Sequence, residues 1–447
     1  MTEVRVRFGK AGLLGLLATA GPVHAQTADR LHISGTVRLR YEAISGQARK
    51  GFNTDDDLVN LRTTLMAEYR SGPFTIAGEL WDSRVYSDRV GTPISPGEVN
   101  ALEPVQVYAA YAVPLAEGGQ ATVQAGRFLL NIGARRLVAA DDYRNTTSGY
   151  TGLHVDVKTR LISASFIYVL PQQRRPDDVA SVRSNDVSFD HEGFDQVLWG
   201  GTVMRAKAIG PLAAEVSFYH LGERDTRSLP TRDRSLHTYG GRLLRAPTLA
   251  KIDVEIESFY QSGRISASLN PNAARVPVSA WFVHADAGYT FPGTWRLRAS
   301  IEYDRASGDR SGGRYGRFDT LFGQRRADFA PAGLYNAVAR TNVETPGIRV
   351  EIEPSKRWDA FATYRALWLA ASTDSFSSTG VRGVKGRSGS FAGHQLDARF
   401  RWWVKPAKLR LELDAVLLAK GRFMEVAPNA PTRSITAYGS VNLTASF

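Results

Sequence analysis

Cysteine is absent from the 447 residues, which excludes disulfides, thiolate nucleophiles and cysteine metal ligands together. Stability then has to come from the fold itself. Beyond the first 25 residues no segment is apolar over the ~20 positions that a spanning helix needs. Helical membrane spans are excluded, but strands are not, because only alternate strand residues face lipid. Lysine is scarce: of 56 basic residues only 10 are Lys, and 46 are Arg. The 8 His are scattered, with His24 in the leader, and neither Gly-x-Ser-x-Gly nor His-Glu-x-x-His occurs. A barrel hydrolase built around His284 or His394 is therefore the weaker alternative to a non-enzymatic protein, and no cofactor is expected. Linkers, composition shifts and a sustained helical period are missing too, so one architecture runs end to end.

What is present begins with a leader. Arg5, Arg7 and Lys10 precede the apolar run Ala11 to Ala20 and the small-residue site Val23-His24-Ala25, the pattern of a secretory signal peptide over 1–25. From 26 to 447 the residues alternate. In the last segment Ile435, Ala437, Gly439, Val441, Leu443, Ala445 and Phe447 share one face, and Thr436, Tyr438, Ser440, Asn442, Thr444 and Ser446 the other. Period two predicts strands at 31–42, 57–70, 72–84, 103–114, 119–127, 149–158, 159–170, 197–209 and 211–221. It continues at 235–246, 250–262, 278–291, 294–305, 345–353, 357–370, 391–404, 407–419 and 435–447.

The connections alternate as well. Short ones carry turn residues, as in Ser71-Gly72-Pro73, Glu117-Gly118-Gly119, Gly210-Pro211, Pro292-Gly293, Pro354-Ser355 and Pro406-Ala407. Long ones include 128–148, 171–196, 306–344 and 371–390. This rhythm and an even strand count predict an all-β, transmembrane antiparallel β-barrel of eighteen strands, sixteen being the alternative, in the outer membrane with periplasmic turns and extracellular loops. A soluble β-sandwich would not need the rhythm.

Alternation also indexes the lumen. Where Trp295, Leu297, Ala299, Ile301 and Tyr303 face lipid, Arg296, Arg298, Ser300, Glu302 and Asp304 face in. The same parity turns inward Arg38, Arg40, Glu42, Arg62, Glu68 and Glu79, then Asp253, Glu255, Asp286, Arg349, Glu351 and Arg365. It ends with Asp397, Arg399, Arg401, Arg410, Glu412 and Asp414. This wall holds 10 Arg and 12 acids, so it reads first as a lattice of ion pairs. The basic excess lies in 128–148, 306–344 and 371–390, with 12 basic and 7 acidic residues. If those loops fold inward they place Arg at a constriction, where rings of Arg select anions. Removing Arg5, Arg7, Lys10 and Glu3 with the leader takes the charge from +12 to +10, and arginine's planar fork suits carboxylate or phosphate. An acidic polysaccharide is the natural partner beside outer-membrane lipid; no nucleic-acid recognition element is present. Tyr111, Trp281, Trp295, Trp358, Trp368, Trp402 and Phe447 are expected in interfacial girdles, with Trp81 and Trp403 pointing in. Asp55-Asp56-Asp57 is read as solvated acids rather than a calcium site.

Two loop regions carry a family likeness. The first reads Gly126-Arg127, Gly133-Ala134-Arg135-Arg136-Leu137, Asp142-Tyr143-Arg144-Asn145-Thr146 and Gly152; the second reads Ala306-Ser307-Gly308-Asp309 and Phe318-Asp319-Thr320-Leu321-Phe322. Both resemble the alginate-export family of outer-membrane porins. The resemblance implies an eighteen-stranded barrel with an arginine-rich, electropositive pore for an anionic uronate polymer. It makes Arg127, Arg135, Arg136 and Arg144 constriction candidates, joined from the wall by Arg62, Arg298, Arg365 and Arg399. For Arg135 and Arg144 a loop-anchoring ion pair with Asp141 or Asp142 is the alternative. Polymer export and oligomer uptake both stay open, with periplasmic secretion or uptake components as partners, and turns such as Lys405 to Lys408 are too short for a periplasmic lid.

Overall fold

The computed structural model describes residues 30–141, 143–310, 312–324 and 328–447; the expected leader and Asp142 lie outside them. Within the described residues eighteen strands form one antiparallel sheet in chain order that closes on itself. The strands are β1 (Arg30–Ser45), β2 (Asp55–Ser71), β3 (Phe74–Tyr86), β4 (Asn100–Pro114), β5 (Gln120–Leu129), β6 (Gly149–Lys158) and β7 (Ile162–Pro171). Next come β8 (Gln196–Ile209), β9 (Leu212–Glu223), β10 (Ser235–Arg245), β11 (Ile252–Ser266), β12 (Arg275–Thr290) and β13 (Arg298–Ala306). Last are β14 (Val343–Ser355), β15 (Trp358–Trp368), β16 (Phe391–Lys405), β17 (Leu409–Lys420) and β18 (Ile435–Ser446). Closure runs between β1 and β18, from Thr36 opposite Ser446 to Ser45 opposite Ala437. It pairs the backbone groups that hydrocarbon would leave without partners.

Side-chain burial follows the pleat. Leu39, Leu65, Ile76, Val123, Phe166, Val216, Ile256, Ile301, Ile348, Leu396, Leu413 and Val441 are exposed on the outer face. On a soluble protein so continuous an apolar band would be anomalous; on a barrel it is the lipid contact. Trp358 and Trp402 face each other across β15 and β16, Trp295 packs edge-on against Trp358 at 5.8 Å, and Phe74 lies opposite Tyr111. These mark the girdle at the turn end. Trp81 is buried inside and Trp403 sits inward with Arg401 5.3 Å from its ring.

Two expectations fail locally. Arg296 is not in the lumen: β13 starts two residues later, and Arg296 sits exposed in the preceding turn with φ +43°. His394 points outward, bonded to Tyr364 Oη at 2.7 Å, whereas His284 does face in, 2.7 Å from Asp304.

The buried apolar core lies inside the barrel. The connections 130–148 (loop L3) and 307–342 (loop L7) fold inward, and their Leu137, Val138, Phe318, Phe329, Leu334 and Tyr335 pack with wall residues such as Phe128, Tyr150, Phe259 and Phe282. The lumen face is apolar near the extracellular ends of β10 to β12 and charged farther down those strands. Phe318 stacks between Phe282 and Phe259 at 5.6 and 6.4 Å. The loop segment 371–390 behaves otherwise: Phe376 and Val381 are buried, but Arg382, Lys385 and Arg387 are exposed at the mouth.

Candidate functional site

The site is the arrangement of loops across the lumen. L3 and L7 meet in a short parallel seam: Phe322 N donates to Leu137 O at 2.9 Å, Ala139 N to Phe322 O at 3.1 Å and Gln324 N to Arg135 O at 3.0 Å. Gly323 is required here, since a Cβ on it would lie 1.8 Å from Arg136 O. Arg136 clamps the seam to the wall. Its Nε and Nη2 hold both oxygens of Asp328 at 2.9 and 3.0 Å, and its Nη1 reaches Glu255 and Glu257 of β11 at 2.5 and 2.6 Å. Burial opposes this charge, but the three carboxylates outweigh it and hold the guanidinium well above its usual range. Burial would raise Asp328, yet Arg136 and Arg340 hold it well below the usual carboxylate range.

From the seam L3 crosses to the opposite wall. Tyr143 O accepts from Arg38 Nη1 at 3.2 Å and from Arg40 Nη2. Arg144 O accepts from Arg38 Nη2 at 2.7 Å and from Arg62 Nη1 at 3.2 Å. The Asn145 amide is fully used, donating to Leu61 O, Arg84 O and Glu98 O at 3.2, 3.0 and 2.8 Å. The motif residues of L3 are thus what dock it. Upstream, Gly126 and Gly152 face each other across β5 and β6 at φ +120° and +154°.

The candidate arginines divide by what they touch. Arg127 is held by Glu103 and Glu192 at 2.5 and 2.6 Å. Arg298 is met by Asp253 and Glu351 at 2.5 and 3.0 Å and also by Asp286. Arg365 is fully buried between Asp304, at 3.0 Å, and Glu302. With Arg136 these are lattice arginines. Arg399 shares Asp359 with Arg401, at 3.2 and 2.9 Å, near the turn end of the lumen; Asp359, the second residue of β15, has the parity of the inward Arg365. Arg144 pairs with Asp141 at 2.8 Å, the loop-anchoring alternative. Arg135 is half-buried at φ +62° and donates to Gln324 at 3.1 Å in the amide orientation that satisfies both groups. Arg62 stands opposite Arg38 across β1 and β2 and lies 4.4 Å over the Trp81 ring. Arg174, from the connection 172–195 (L4), donates to Thr146 Oγ1 at 3.3 Å. Burial and the nearby Arg144 charge lower its pKa. Arg174, Arg340 and Phe361, which lies between the guanidiniums of Arg349 and Arg399 at 3.7 and 4.7 Å, were missed from the sequence. Asp55 is taken by Arg433 at 2.7 Å, and Asp56 and Asp57 by Arg89 at 3.2 and 3.3 Å.

A closed barrel with an apolar belt, an aromatic girdle and loops folded into a charged lumen defines an outer-membrane channel. The sequence profile described as alginate export matches residues 29–437, and the chain belongs to that family. Among solved structures, Pseudomonas aeruginosa OpdO matches with a TM-score of 0.58 at 11% identity, over 93% of this chain and 97% of that one. Pseudomonas aeruginosa OccD3 (OpdP) gives 0.57 at 12%, over 96% and 95%. A BenF-like porin from Pseudomonas fluorescens Pf-5 gives 0.58 at 10%, over 93% and 98%. These likenesses are of fold. Comparison with curated proteins found no match. Family and fold together make this a channel rather than an enzyme.

Proposed function

We propose that the channel passes an acidic polysaccharide such as alginate, or its oligomers, passively and with preference for anions. The observation that carries this reading is L3 itself: it lies across the lumen with Arg144 beside Arg38, Arg62 and Arg174, the wall arginines being held through its main-chain carbonyls. A cluster of guanidinium charges attracts a passing carboxylate. The path we propose runs past Arg174, Arg144, Arg135 and Arg62 to Arg399 and Arg401, with Trp403 as an apolar face for sugar rings. Arg127, Arg136, Arg298 and Arg365 shape its walls. Export to the outer membrane follows removal of the leader after Ala25, which amino-terminal sequencing of the membrane-inserted protein checks.

L3 reaches from the seam to the β1–β2 wall, and this favours oligomers over a thick polymer as cargo. In planar bilayers under a salt gradient, the reversal potential is expected to show anion preference, and oligouronate is expected to reduce conductance. Both effects fade as screening shortens from ~10 Å at 0.1 M salt to ~3 Å at 1 M. Cation selectivity would contradict the reading, and block that grows with oligomer length and then levels off would give the length of the path.

A further inference from the structure

The outer surface carries a second set of arginines that the passage does not use. Phe218, Tyr239, Tyr260 and Trp281 are directly paired in one row across β9 to β12. They stand on the lipid face near the extracellular ends, the level at which hydrocarbon gives way to headgroups. Beside this row lies a cleft of about 410 Å³, lined among others by Trp281, Ser307, Arg305, Arg310 and Arg314. Arg305 is an outward residue of β13, flanked by the buried, inward Asp304 and Ala306, and its guanidinium lies 5.4 Å from the Trp281 ring centre. The carboxylate of Glu344 is 3.3 Å from Arg305 Nε. Arg310 is exposed and donates to Ala370 O at 3.3 Å, and Arg314 is exposed.

The cleft is prebuilt. L7 extends the ladder of β12 above the end of β13, with Tyr315 N donating to Pro277 O at 2.8 Å and Ser279 N to Tyr315 O at 3.0 Å. The neighbouring acids of L7 and 369–390 are engaged: Asp309 accepts from Gly316 N at 3.0 Å, and Asp374 holds Arg317 at 2.7 Å. Three guanidiniums therefore line a cleft at headgroup height, with the Glu344 carboxylate beside one of them. A basic residue on the lipid face is unfavourable in hydrocarbon and favourable where an anionic group meets it.

We propose that this cleft binds the phosphate of a phosphorylated glycolipid of the outer leaflet, with the arginine forks on the phosphate oxygens and Trp281 against the sugar and upper acyl chain. The bound lipid fastens the root of L7 from outside. The inference stands apart from the choice of cargo.

The test uses the purified full barrel in detergent, with a diphosphorylated glycolipid, its enzymatically dephosphorylated form and inorganic phosphate as probes, read by native mass spectrometry. The wild type is expected to retain the diphosphorylated lipid and to lose the dephosphorylated one. Arg310→Ala combined with Arg314→Ala, both on an exposed loop, is expected to weaken retention about thirtyfold, with single-channel conductance unchanged as the sign of an intact barrel. Arg314→Ala alone is expected to give a partial loss. Equal retention of the two lipids, or undiminished retention by the double variant, would overturn the site. Displacement of the lipid by millimolar inorganic phosphate would make it a site for free phosphate and overturn the glycolipid.

Discussion

The two sides of the lumen treat arginine differently. Along β9 to β15 the guanidiniums end on carboxylates: Arg242 on Glu215 at 3.1 Å, Arg349 on Glu351 at 2.8 Å, Arg298 on three acids, Arg365 on two, and Arg136 on Glu255, Glu257 and Asp328. Along β1 to β3, Arg38 and Arg62 stand opposite one another and donate to main-chain carbonyls of L3. The first side has the chemistry of a structural lattice, in which each charge is met and its removal leaves acids without a partner. On the second the guanidiniums gather around the main chain of L3, with Arg40 also 3.4 Å from Glu42, so that this wall docks the loop. The first side holds the loops rigidly, and the second is the side that we propose meets the cargo.

The largest expected effect comes from breaking the lattice at its centre. Arg136→Ala removes the guanidinium that Asp328, Glu255 and Glu257 share, with Arg340 still on Asp328 and Arg242 still near the two glutamates, a loss of about 3 kcal/mol, which is enough to loosen L3 and L7 from the wall. Conductance is expected to rise and become noisy, and the unboiled gel band to convert at lower temperature. Gly323→Ala attacks the same seam through backbone contact, and is expected to reproduce the noise with a smaller change in heat resistance. An unaltered conductance in both variants would show that the seam does not restrict the passage.

Next in size is a direct contrast between the two sides. Arg298→Glu puts a fourth acid among Asp253, Asp286 and Glu351, so heat resistance of the folded band is expected to fall while the reversal potential stays near the wild-type value. Arg144→Gln with Arg174→Gln is expected to do the reverse, moving the reversal potential toward zero with little change in heat resistance. If Arg298→Glu instead alters selectivity alone, the division between lattice and path is wrong.

Much of this was readable in the chain, and what was not has a physical cause. All eighteen strands were legible because the period-two pattern is repeated by the turn chemistry between them, and the lattice reading of the wall followed from nearly balanced charge. The motifs in 133–146 and 318–322 were legible as special, but they dock the loops: Asn145 satisfies three carbonyls and Phe318 fills an aromatic stack. The inward fold of L3 and L7 is not legible in the chain, because a sequence shows loop charge and not which loop finds an apolar seat. The lumen-facing Phe259, Val278, Ala280 and Phe282 are that seat. Arg296 was misplaced because parity was extended through a turn, where a residue at positive φ breaks the count.

The smallest effect expected is one of pH, and it sharpens the contrast at L4, which carries Arg174 to the side of the proposed path. Asp190 of L4 is buried, accepts from Asn100 Nδ2 at 2.8 Å and from Arg175 N at 2.9 Å, and has Glu103 and Arg174 as charged neighbours. Burial first, then the Glu103 charge, pushes its carboxyl up to about 7, with Arg174 pulling the other way. A raised carboxyl binds its proton more tightly in the folded state than in the released one. The seat of L4 is therefore favoured below about pH 7 and loses that support as pH rises from the ordinary carboxylate range through 7. Amide exchange across 186–192 is expected to be slower at pH 5.5 than at pH 8 after correction for intrinsic rates, and Asp190→Asn is expected to abolish the difference. Because Arg174 rides on the same loop, anion preference is expected to be slightly stronger on the acid side. A pH dependence that persists in Asp190→Asn would assign it to another group and leave L4 a passive strap.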